Sequence, residues 1–146
     1  MKSIKEVRVG AWGAGPFEND DALDFVGDLT DEPVEQLRAG IRAAMTQVLD
    51  TSDYVECPEM DAAIAAACLV AARIDPSLQL DANGRHYLDQ MPFQPDDELR
   101  TLAAGVFTRA FQPENNEWYE LWAESTGHPT ENEAALAPFR AAANSR

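Results

Sequence analysis

The sequence predicts an all-α protein, a single compact domain of about five to six helices packed bundle-like or orthogonally around one buried helix. Three observations carry this. Apolar residues recur at i, i+3, i+4 and i+7 in successive segments. The stretch from Ala62 to Val70 is apolar nearly all round, the mark of a helix at the centre of a bundle. No run alternates apolar and polar residues long enough to make a strand. At 146 residues and 45% hydrophobic content the chain can bury a core without disulfide or metal support.

The helices follow in order. Ala22, Phe25, Val26 and Leu29 form one apolar face of a short first helix. Thr30-Asp31-Glu32-Pro33 combines capping residues with a first-turn proline. The helix it opens should reach Asp50 and carry Val34, Leu37, Ile41, Ala44, Met45 and Val48 on one face. Pro58 starts the alanine-rich central helix, which should extend to Ala72. Asp96-Asp97-Glu98 opens another, since acids suit the positive end of the helix dipole. Leu99, Leu102, Ala103, Val106, Phe107, Ala110 and Phe111 complete it before Pro113. Glu114–Glu124 places Trp118, Leu121 and Trp122 on one side, a spacing that reads as core. Glu131–Ala143 carries Leu136 and Phe139, and Pro138 should kink or shorten it. Between Arg73 and Pro95 a short helix around His86-Tyr87-Leu88 is expected, with Asn83-Gly84 as a turn before it.

Eleven Lys and Arg against 26 Asp and Glu give a net charge of −15. That balance disfavours nucleic acid and anionic lipid as partners and admits a basic protein. No apolar run is long enough to span a membrane or to serve as a signal peptide. Cys57 and Cys68 then read as buried thiols of a reducing compartment, and a cytoplasmic location is expected.

The most distinctive stretch is Gly10-Ala11-Trp12-Gly13-Ala14-Gly15-Pro16-Phe17-Glu18-Asn19-Asp20-Asp21-Ala22-Leu23-Asp24-Phe25. It closely resembles the opening signature of a bacterial family, domain of unknown function 4259. The strong part of the resemblance runs from Gly10 to about Leu29. It implies no catalytic role for any residue. Members of the family characteristically open Met-Gly-Ala-Trp-Gly, so the resemblance places an initiator at Val9. Residues 1–8 are then expected to be a leader or extension, and residues 9–146 the helical domain.

The chemistry of the stretch can be read directly. Its glycines let the backbone turn where other residues cannot. Asn19 or Asp20 can cap the following helix. Trp12 and Phe17 are expected to pack back onto the bundle. A phosphate loop is disfavoured, because Glu18, Asp20 and Asp21 put negative charge where the phosphate would sit. Asp20, Asp24 and Asp28 fall at i, i+4 and i+8 on the face opposite the apolar one, where carboxylates could hold Mg²⁺ or Ca²⁺ but also form an ordinary solvated face.

Other candidates are weaker. Asp81-Ala82-Asn83-Gly84 fails as a calcium loop, with its glycine misplaced and Pro92 where the bidentate Glu should stand. His86 and His128 lack partners at metal spacing, and neither cysteine has a histidine near it in sequence.

Two functions from different classes remain. One is a non-enzymatic protein-binding module, neutralising or regulating a basic partner through Trp12, Asp20, Asp21, Asp24 and Asp28. From Val9 to Leu37 there are eight acids and no base. The other is a metal-assisted enzyme using the Asp20/Asp24/Asp28 face. The sequence leans toward the first, and calls for no cofactor and no resident metal.

Overall fold

A computed structural model describes residues 11–124 and 127–145. The expected leader, residues 1–8, lies outside them. Seven α-helices are present among the described residues, and more than half the chain is helical. They are α1 (Asp20–Thr30), α2 (Leu37–Leu49), α3 (Cys57–Ile74), α4 (Ala82–Leu88), α5 (Asp97–Ala110), α6 (Glu117–Trp122) and α7 (Thr130–Asn144), with a 3₁₀ turn at Val34–Gln36 before α2. Two isolated bridges, Ala11 with Asn19 and Val55 with Asn116, are the only strand-like pairings among the described residues.

The alanine-rich α3 is the hub. It packs against α1, α2, α5, α6 and α7, and the whole run from Ala63 to Ala72 is buried. Its alanines bring neighbouring backbones close. Met60, Ile64, Leu69 and Val70 fill the gaps, each stabilising by about 1.5–3 kcal/mol on burial. A Glu56/Glu59 capping box and Pro58 in the first turn set where α3 begins.

Four local expectations are corrected. The second helix begins at Leu37, not after Pro33. Pro33 is extended at ψ 148°, and the 3₁₀ turn that follows leaves Val34 60% exposed, off the apolar face. Asn83-Gly84 is not a turn before a helix but lies inside α4, which Asp81 caps by accepting from the Gly84 N–H at 2.7 Å. The helix predicted from Glu114 begins only at Glu117. Asn116 caps it, accepting from the Tyr119 N–H while its own amide donates to the Ala110 and Gln112 carbonyls at the end of α5. Finally, of the two outcomes expected at Pro138, α7 is not shortened but continues through it to Asn144. A proline there forfeits a backbone bond at a cost of about 3 kcal/mol. Burial of Leu136, Phe139, Ala142 and Ala143 on either side of it holds the segment helical.

Candidate functional site

The loop from Ala11 to Asn19 is built around one side chain. Glu18 Oε1 accepts from the Gly15 N–H at 2.9 Å, and the Glu18 carbonyl accepts from the Trp12 N–H at 3.0 Å. The loop thus encloses its own carboxylate. A Cβ on Gly13 or Gly15 would lie 2.3 or 2.7 Å from Glu18 Oε1. Neither glycine has a positive φ. A side chain at either position would have to displace the Glu18 carboxylate, and neither adopts the left-handed backbone that favours glycine, which corrects the expectation from sequence.

The two aromatic anchors part company. Phe17 is 1% exposed and packs against α4 at Gly84. Trp12 was expected to pack onto the bundle but is 44% exposed. The Glu18 carboxylate, not the indole, organises the inside of the loop. At the loop's end Asn19 Oδ1 accepts from the Ala22 N–H at 2.7 Å, which settles the cap of α1.

Asp20, Asp24 and Asp28 lie exposed along α1, and Asp21 is half-buried. The three do not converge. Eight residues of helix rise about 12 Å, far beyond what one ion with ligands at 2–2.6 Å can bridge. Among the described residues no three His, Cys, Asp or Glu side chains are grouped to hold a metal.

Among the described residues no cation is paired with the three. The described residues contain seven arginines and no lysine. Arg38 bridges Asp96 and Glu98 at 2.8 and 2.6 Å, and Arg42 reaches Glu98 at 3.0 Å. Arg85 pairs with Asp89 and Arg100 with Asp97. Arg73 donates to the Leu88 and Met91 carbonyls, and Arg109 to those of Gln112 and Asn115. Arg140 lies over the Phe111 ring. Every one of them is engaged away from Asp20, Asp24 and Asp28.

Two groupings were not visible in the sequence. Under the 11–19 loop a cavity of about 10 Å³ is lined by Asn19, Asp61, Trp118, Trp122 and Asn132. Both tryptophans are buried, as their spacing predicted. Beside α7, His128 joins the Tyr119 hydroxyl on Nδ1 and Glu133 on Nε2, each at 3.1 Å, and stacks on Phe111. His86 instead is exposed and pairs with Gln90. Both cysteines are buried, and burial pushes the Cys68 thiol well above its ordinary value. Apart from the Trp118/Trp122 pair, none of these residues stands at a spacing that sequence inspection could single out.

The fold and site define an acidic, all-α domain closed at one end by a glycine-rich loop that folds around its own carboxylate. The chain belongs to the family described as domain of unknown function (DUF4259), whose match spans residues 10–134. No curated protein and no solved structure matches it. No helix among the described residues is long and apolar enough to cross a membrane.

Proposed function

We propose that this protein is a non-catalytic binding module that docks a basic protein partner on the acidic face of α1. The observation that supports it is the row Asp20, Asp24 and Asp28, exposed on one helix while every described arginine is engaged elsewhere. A surface of one sign steers an oppositely charged partner and speeds its encounter. Asp21 adds a fourth carboxylate to the helix. Trp12, exposed and tied through its backbone to Glu18 just before α1, offers an aromatic contact of the type that dominates interface hot spots.

The test is charge reversal of Asp20, Asp24 and Asp28 to Lys, with folding confirmed by circular dichroism, followed by affinity capture at low and moderate salt. Wild type should recover a Lys/Arg-rich partner, less of it as salt shortens the screening length. The triple variant should lose it. Recovery of the same partner by both proteins overturns the reading. So does a divalent-ion-dependent turnover that the triple variant lacks.

A further inference from the structure

A cleft of about 180 Å³ opens where the glycine-rich loop, the start of α4 and α7 meet. Gly15, Pro16, Phe17 and Glu18 line it in succession, so the signature of the family forms a whole wall. Pro16, Leu80, Ala135 and Phe139 make it apolar, Glu18 and Asp81 bring two carboxylates, and no cation lines it. Each carboxylate spends one oxygen on a backbone N–H. Glu18 Oε1 accepts from Gly15 at 2.9 Å, and Asp81 Oδ1 accepts from Gly84 at 2.7 Å. Neither is ion-paired with a described arginine. Position 84 ties the walls together, since a Cβ there would lie 2.8 Å from Phe17 Cδ2 and 3.1 Å from Asp81 Oδ1. Asp81 therefore stands beside the ring that precedes Glu18. Glu18 is half-buried. Beside apolar walls its carboxylate loses hydration that one backbone N–H returns only in part.

We propose that this cleft receives one arginine side chain of the basic protein partner. The proposal rests on the reading that the partner is basic, and adds the residue that anchors it. Sites for drug-sized molecules take about 300–1,000 Å³, so this volume suits one long side chain. The aliphatic stem of an arginine lies along apolar walls while its charged head meets the carboxylates. The guanidinium presents its donors in a planar fork. Its edges reach carboxylates held on two different walls, whereas a compact ammonium needs them to converge on one point. A guanidinium is also more weakly hydrated than an ammonium, and so enters a space beside Phe139 at lower cost. Its bonds to Glu18 and Asp81 are charge-assisted, the strong kind. An arginine seated in a pocket is a common anchor of protein interfaces.

The experiment titrates the full, ¹⁵N-labelled chain with Nα-acetyl-arginine methylamide and follows the amide resonances of Gly15, Glu18 and Gly84. The lysine and citrulline counterparts are titrated at matched ionic strength. Saturable shifts are expected with arginine, about tenfold weaker binding with lysine, and none with neutral citrulline. Asp81→Asn keeps an oxygen to cap α4, since asparagine caps as well as aspartate. Glu18→Gln likewise keeps an oxygen for the Gly15 N–H. Each removes one charge, and should melt close to wild type yet weaken arginine binding about tenfold or more. Ala135→Leu fills the cleft from α7 without touching either carboxylate, and should abolish the response. Reversal of Asp20, Asp24 and Asp28 should leave it in place. Arginine binding with no basic partner captured would overturn the α1 docking face and leave the cleft standing. No saturable shift at these amides, a response to lysine or citrulline equal to that of arginine, or an arginine response unchanged in Asp81→Asn, Glu18→Gln or Ala135→Leu overturns the proposal, whatever the capture returns.

Discussion

Phe17 fills the space that a side chain at Gly84 would need. A Cβ at position 84 would lie 2.8 Å from Phe17 Cδ2 and 2.9 Å from Cε2. The ring is 1% exposed and cannot swing aside cheaply. This contact ties the loop of the N-terminal signature to α4, 67 residues later in the chain.

Gly84→Ala should therefore destabilise, although alanine is the better helix former by about 1 kcal/mol. Overpacking costs about 1–3 kcal/mol and outweighs that gain. Phe17→Ala alone should cost about 3–5 kcal/mol. In the Phe17→Ala background the alanine at 84 should become neutral or stabilising. A double-mutant cycle by urea unfolding measures the coupling, and additive losses would show that the two residues do not compete for space.

Trp12→Ala should cost far less stability than Phe17→Ala, because the indole is 44% exposed and its loop is held by Glu18. The same urea midpoints decide it. A loss equal to that of Phe17→Ala would make the indole, not the carboxylate, the anchor of the loop.

The α5 N-terminus should set part of the acid sensitivity. The Asp96 carboxyl is held below the usual range by the Leu99 N–H it caps and by Arg38. Glu98 is held down by hydrogen bonds from Arg38 and Arg42. A depressed carboxylate contributes stability that is present above its unfolded pKa of about 4 and is lost as pH falls through the folded value. Stability should thus fall below about pH 4. Asp96→Asn keeps a capping oxygen without the charge, and its acid limb should be shallower than wild type. Parallel limbs in urea midpoints against pH would remove Asp96 from that role.

Tyr54 should titrate late. Its hydroxyl donates to Glu120 Oε1 at 2.8 Å, and that bond is the main reason its pKa is pushed up to about 12. The phenol therefore stays neutral, and the contact intact, until pH rises through that value. Absorbance of tyrosinate against pH should show one late tyrosine, which Glu120→Gln returns toward the ordinary value of about 10. A late tyrosine that persists in the variant would rule out Glu120 as the cause.

Much of the fold was legible because helices announce themselves locally. Apolar spacing marked α1, α2, α3, α5 and α7, and the all-round apolar run placed α3 at the centre before any contact was known. The spacing of Trp118 and Trp122 was enough to call them core. Pro33, Asn83-Gly84 and Pro138 each carry a local preference that neighbouring structure modified, the cap at Asp81 drawing Asn83-Gly84 into α4 and burial on either side of Pro138 keeping α7 helical. Pro138 stays inside α7 because the side chains around it are buried.

The acidic row on α1 needed only the sequence, since an i, i+4, i+8 pattern fixes the shared face of a helix wherever the helix goes. Its isolation from the described arginines did not, because those depend on which acids and carbonyls tertiary packing brings near. The cavity lies further still from the sequence. Asn19, Asp61, Trp118 and Asn132 come from the start of α1, from α3, from α6 and from α7, and no spacing links them. The sequence determined the helices, their apolar faces and the sign of the surface, all set by neighbours within a few residues. The tertiary structure alone decided that Glu18 fills its own loop, that Trp12 stays outside, and that a carboxylate and an amide meet in one buried space.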